Sequence, residues 1–190
     1  MARMDHRMLP VVRASLLALC AIPLGTIGCR SARSADAAPD FTLPQVRGGI
    51  FRLYSQPAQP VLLAFLQTVP DTADTRSRSQ VVFLSSMAQQ YGPRGLRVAV
   101  IDASAIVSRR PPDHAALVNV SYDWQMNIPL LEDVDNQIAQ RFGVTQIPTL
   151  VLLAPDGRIC QRWQGSAGPA QLAQGIEKLL GGPLGRLPSF

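Results

Sequence analysis

"RFGVTQIPTLVLLAPDGRI", Arg141 to Ile159, is the stretch whose reading decides the fold. Gly143 closes a helix that begins near Asp135. Leu150 to Leu153 is an apolar strand. Pro155-Asp156-Gly157 carries turn chemistry, and Arg158 to Gln164 returns as a second strand. The segment is therefore a helix end followed by a β-hairpin. Alternation along the return strand sets Ile159, Gln161 and Trp163 on one face, with Cys160 and Arg162 on the other.

Working upstream, "IPLLEDVDNQIAQRFGV" gives a short strand at Pro129 to Leu131, with Asp133 and Asp135 as turn and helix-start acids. "GLRVAVIDAS" is a buried strand, Leu96 to Asp102. "PVLLAFL", Pro60 to Leu66, is a continuous apolar run, as expected of a strand covered on both faces. Between these two strands lies a helix starting near Thr75 or Ser77, either of which would cap it. Val82, Phe83, Met87 and Tyr91 give it an apolar stripe, widened by Leu84, and Pro93 and Gly95 stop it. That intervening helix supplies the crossover that parallel strands require. Phe41, Leu43, Ile50, Phe51 and Leu53 flank Gly48-Gly49 as an N-terminal hairpin. A short helix is expected at Asp113 to Asn119, and downstream "GPAQLAQGIEKLL" is a terminal helix with Leu172, Ile176, Leu179 and Leu180 on one side.

The 190 residues, 47% of them apolar, suit one domain of ordinary size. The formal charge of +5 is concentrated at the start, where Arg3, Arg7, Arg13, Arg30 and Arg33 face only Asp5 and Asp36. No arginine stripe runs through the rest, and Arg109-Arg110 is a solvated pair, so nucleic acid is not expected as a partner.

The basic opening is followed by a 15-residue uncharged run, Ala14 to Gly28. It is short for a transmembrane helix and suits an export signal. Two endings compete. "TIGC", Thr26 to Cys29, resembles the lipobox of bacterial lipoproteins, with Thr26 in place of the usual leucine. "ADA", Ala35 to Ala37, allows ordinary cleavage before Ala38. The domains expected are therefore 1–37 as signal and tether, 38–180 as the folded domain, and 181–190 as a loose tail. Localisation follows: exported, on the outer face of the cytoplasmic membrane through a lipid on Cys29, or else secreted or periplasmic.

Strand, helix, strand, helix, hairpin, helix is the thioredoxin order. "APDFTLP", Ala38 to Pro44, and "RFGVTQIPTLVLLAPDGRI" resemble the redoxin group, which includes the peroxiredoxin/AhpC-TSA and TlpA-like proteins. The resemblance covers Ala38 to about Leu180. It implies an α/β, thioredoxin-like fold: a central mixed β-sheet flanked by helices, with an N-terminal β-hairpin. It also implies a cis Ile147–Pro148 bond facing the place where relatives hold a reactive thiol pair.

That pair is missing. Counting from Phe65 puts the family's thiols at Pro70 and Ala73; counting back from Phe83-Leu84 puts them at Asp74 and Ser77. The cysteines are Cys20, Cys29 and Cys160, so either alignment finds none. Thiol–disulfide exchange needs a thiolate, and a serine hydroxyl cannot replace it. A hydrolytic serine needs an adjacent base, and His114, the only histidine beyond the signal region, reads as a surface or helix-start residue. Sco-like copper chaperones share the fold but use two cysteines and a histidine, so no metal is expected, and no cofactor is implied.

What remains is a binding surface. Arg76 and Arg78 at a helix start favour anions. The backbone at Ile147, Pro148 and Thr149 can pair with an extended peptide. The expected function is a non-catalytic binding or scaffold protein at the cell envelope, holding a protein or peptide partner. The alternative is a thiol-disulfide oxidoreductase or antioxidant protein that uses Cys160 or a partner's thiol.

Overall fold

The structure is a computed structural model and describes residues 37–54, 58–69 and 75–181. The expected signal and lipid-anchor site Cys29 lie outside those residues, as do Pro70, Ala73, Asp74 and all of the expected tail beyond Gly181.

A two-stranded antiparallel sheet comes first, formed by β1 (Thr42–Pro44) and β2 (Ile50–Arg52). Gly48 and Gly49 join them, both at φ 93°, a region that favours glycine. The main sheet has the order β5-β4-β3-β6-β7. Its centre, β3 (Val61–Leu66), is buried along its whole length, as its unbroken apolar run requires. It pairs in parallel with β4 (Arg97–Asp102) and antiparallel with β6 (Thr149–Leu153). The edges are β5 (Leu130–Leu131), parallel to β4, and β7 (Ile159–Gln164), antiparallel to β6. The sheet is therefore mixed, as expected.

Two apolar layers follow from the period-two alternation of the strands. Leu62, Ala64 and Leu66 of β3 face a cluster with α1 (Thr75–Tyr91), α3 (His114–Asp123) and α5 (Pro169–Leu180). Val61, Leu63 and Phe65 face the other way, onto the β1–β2 hairpin and α4 (Gln137–Arg141). Each fully buried leucine or phenylalanine contributes roughly 1.5–3 kcal/mol, which makes β3 the energetic centre of the domain.

Three readings need correction. The α1 stripe is Ser77, Gln80, Val81, Leu84, Met87 and Tyr91, whereas Val82 is 61% exposed. Val81 to Leu84 are four consecutive apolar residues, so periodicity alone cannot choose which of them turn inward. Ser77 does not cap α1; it is buried within the first turn. Along β7, Ile159 and Trp163 do not share a face: Ile159 packs on the hairpin side and Trp163 on the α1–α5 side. The cause is a β-bulge. Leu152 pairs with Gln161 and Leu153 with Ile159, so Cys160 is an extra residue that inverts the alternation. One short helix, α2 (Ser104–Ser108), was not expected from the sequence.

Gly175 lets α5 lie close to this strand. A Cβ there would stand 2.7 Å from Gln161 Oε1 and 2.9 Å from Trp163 Cζ2. In the turn before β7, Gly157 is at φ 81° and would carry a Cβ 2.7 Å from Tyr54 Cε1. Tyr54 donates from its hydroxyl to Ala38 O at 2.6 Å, and Ala38 N donates to Gly157 O at 2.9 Å. This clasp fastens the incoming chain beside the β6–β7 turn.

Candidate functional site

The site lies at the end of the sheet where β3 and β4 finish and β6 begins. The Ile147–Pro148 bond is cis, as the motif implied. Phe65 pairs with Thr149, so Pro148 stands alongside the last residue of β3. Pro148 O accepts from Gly165 N at 2.7 Å, while Ile147 is half-buried and Gln146 is exposed. Thr149 is buried and its hydroxyl donates to Gln146 O at 2.7 Å. Its side chain braces the loop from within, and its backbone lies in β6 between Phe65 of β3 and Gln164 of β7.

The loop after β7 ties Pro148 to α1. Two residues beyond Gly165, Ala167 N donates to Gln80 Oε1 at 2.9 Å, and Gln80 Nε2 donates to Ala167 O at 3.0 Å. Gln80 is 1% exposed, so both bonds are made in the absence of water. One buried amide thereby links the second turn of α1 to the segment that holds the proline carbonyl. Ser77, expected from one of the two alignments to match a family thiol, is buried just upstream of it. Arg76 and Arg78 are exposed on the same first turn.

Beside them a buried polar cluster ends β3 and β4. Asp102 and Ser104 are each 1% exposed, and Thr68 is fully buried. Thr68 Oγ1 donates to Asp102 Oδ1 at 2.6 Å, and Ser104 Oγ donates to the same oxygen at 2.5 Å. The lone pairs of Ser104 Oγ accept from Thr68 N at 2.9 Å and Val69 N at 3.0 Å. Burial pushes the Asp102 carboxyl above the usual carboxylate range, and the bonds from Ser104 and Thr68 oppose that displacement. Sequence reading missed this cluster and Gln80. The available signal was positional: Thr68 lies two residues beyond the apolar run of β3, and Asp102 directly follows the apolar run Val98 to Ile101 of β4. Gln80 shares helical spacing with Leu84, Met87 and Tyr91.

The remaining candidates lie elsewhere. His114 starts α3 and pairs through Nδ1 with Glu132 Oε2 at 2.9 Å. Its side chain is 59% exposed, as a surface residue should be. Asp133 accepts from Ile138 N at 3.2 Å and Ala139 N at 2.9 Å, capping α4 as its reading as a turn acid implied. Among the described residues no group of three or more His, Cys, Asp or Glu could hold a metal ion. Cys160, the only cysteine among them, sits beside Leu152 and Leu153. Thr149 to Leu153 spans four residue steps at about 3.3 Å each, so this thiol is roughly 13 Å along the strand from the proline loop.

A cis-proline loop, a helix start and two parallel strand ends meeting at one point are the frame on which redoxins are built. The AhpC/TSA family model matches residues 35–162, most of the domain. The chain belongs to the AhpC/TSA family. It is similar to the thiol-disulfide oxidoreductase ResA of Bacillus thuringiensis, with 21% identity over 142 residues, covering 75% of this chain and 76% of that protein. Its fold is similar to a thioredoxin family thiol:disulfide interchange protein of Chlorobium tepidum, with a TM-score of 0.63, 17% identity and coverage of 76% and 95%. A secreted disulfide oxidoreductase of Mycobacterium tuberculosis gives a TM-score of 0.59, 19% identity and coverage of 73% and 96%. Within this AhpC/TSA member, no helix of the described residues is long and apolar enough to cross a membrane.

Proposed function

We propose that this redoxin-fold chain is an exported binding or scaffold protein of the cell envelope, which holds an extended segment of a protein partner at the Ile147–Pro148 loop. One observation carries the reading. The proline loop and its hydrogen-bonded supports are kept, while no cysteine lies between Arg30 and Ile159. Exchange chemistry requires a thiolate within bonding reach of the substrate sulfur. Ser77 offers a hydroxyl, and Cys160 lies at the far end of the neighbouring strands. The turn of exposed Gln146 and half-buried Ile147 suits β-type pairing with an extended peptide. Arg76 and Arg78 add positive charge that favours acidic residues in such a segment.

Export is supported by the basic and then apolar N-terminus and by the description of the M. tuberculosis neighbour as secreted. Attachment through a lipid on Cys29 is part of the proposal, with simple secretion as its alternative. A second reading rests on the relatives named as thiol-disulfide oxidoreductases: Cys160, or a partner's thiol, supplies the redox centre.

Insulin-reduction and peroxide-consumption assays on the purified domain separate the two readings. The binding reading expects no turnover above buffer. It also expects an alkylated insulin B chain, which has no thiol to exchange, to move the amide resonances of Gln146 and Ile147. Turnover that disappears in Cys160→Ser would overturn it.

A further inference from the structure

Arg76 and Arg78 stand two positions apart on α1, and helical geometry sends them to different sides. Successive residues of an α-helix turn by about 100°, so side chains four apart are neighbours and side chains two apart are not. The buried stripe of α1 runs through Ser77, Gln80, Val81, Leu84, Met87 and Tyr91. Arg76 precedes Gln80 by four residues and lies about 40° from it around the axis, on the Gln80 flank of that stripe. Arg78 precedes Gln80 by two residues and lies about 160° away, on the side of the exposed Val82.

Gln80 fixes what its flank faces. Its amide exchanges two hydrogen bonds with Ala167, at 2.9 Å and 3.0 Å. Gly165, two residues earlier, donates to Pro148 O at 2.7 Å. Arg76 is one turn nearer the helix start than Gln80, about 6 Å along the axis. Helix α1 follows β3, so it begins at the sheet end where Phe65 pairs with Thr149 beside Pro148. Arg76 is thus carried toward the proline loop, and Arg78 is turned away from it. The backbone segments that meet at this end add no ionic competitor. Residues 67–69, 103–104, 145–149 and 164–168 include no ionisable side chain, and Asp102 is buried. A partner segment laid along Gln146 and Ile147 meets uncharged side chains from those segments and a cation from α1.

We propose that Arg76 is the specificity-determining residue of the site, selecting an extended segment that carries a carboxylate side chain, with Arg78 contributing the smaller share. An exposed ion pair adds little affinity, so its effect lies in the choice between partners. The inference rests on the peptide-binding reading of the Ile147–Pro148 loop.

Two ten-residue peptides test it on the full-length protein, one of alternating Glu and Val, the other of alternating Gln and Val. Binding is followed through the Gln146 and Ile147 amide resonances in about 0.15 M salt, where the Debye length of about 8 Å is shorter than the width of a helix, about 10–12 Å. The unaltered protein should bind the Glu-Val peptide roughly two- to fivefold more tightly than the Gln-Val peptide. Arg76→Gln should bring that ratio to about one through loss of Glu-Val affinity, and Arg78→Gln should lower it by less than half as much. Each substitution removes one charge from an exposed position of the same helix turn, so total charge does not account for a difference between them. A ratio near one in the unaltered protein, or a loss in Arg78→Gln as large as that in Arg76→Gln, overturns the proposal and leaves the peptide-binding reading standing. Failure of both peptides to bind the unaltered protein overturns that reading, and the proposal with it.

Discussion

The two ends of the central sheet are held by different means. Where β3 and β4 finish, buried side chains make aimed hydrogen bonds: Thr68 and Ser104 to Asp102, and Gln80 to both backbone groups of Ala167. Where β6 turns into β7, the chain is held by close approach. Gly157 leaves room for the Tyr54 ring, whose hydroxyl reaches Ala38 O. Hydrogen bonds are directional, and a buried group left without its partner is costly. Close packing is less particular about direction but intolerant of added volume. The end that carries the chemistry in thiol-dependent redoxins is therefore the end built for positional accuracy, and this chain retains that accuracy although the thiol pair is missing.

The contrast predicts a ranking of substitutions. The largest loss belongs to Gln80→Ala, which leaves the N–H and C=O of Ala167 buried and unpaired. We expect about 3 kcal/mol in urea denaturation, from two unmet backbone groups at roughly 1–3 kcal/mol each with partial relaxation. Next comes Gly157→Ala at about 2 kcal/mol, from an alanine forced into the left-handed region and from displacement of the Tyr54 hydroxyl. Repeating it in a Tyr54→Ala background should reduce the loss to the backbone part, about 1 kcal/mol. An unchanged loss in that background would mean that the clasp is not what constrains the turn. Smallest is Thr68→Val, at about 1 kcal/mol, because Asp102 keeps its bond from Ser104. If thermal melts place Thr68→Val below Gln80→Ala in stability, the order is reversed and the Thr68–Asp102 bond matters more than the amide link.

The fold was legible where burial is uniform along an element. The run Pro60 to Leu66 could hardly be anything but a strand covered on both sides, and the Pro155-Asp156-Gly157 turn set the final hairpin. The α1 stripe was misjudged by one position because Val81 and Val82 are chemically identical and only the tertiary contacts distinguish them. Helix α2 is five residues long and rich in β-branched side chains, so local pattern had little to report. The cis-proline loop was legible as a motif. The polar cluster was not: Thr68 and Ser104 are separated by 36 positions, and nothing in either neighbourhood announces the other.

The irregularity in β7 changes how Cys160 should be regarded. A polypeptide that must cover one layer with Ile159 and the opposite layer with Trp163 needs an odd residue between them, and position 160 supplies it. Deleting that residue would rotate one half of the strand out of step with the other, whereas exchanging it for another small side chain would preserve the count. Position 160 then serves this strand first by arithmetic and only second by sulfur.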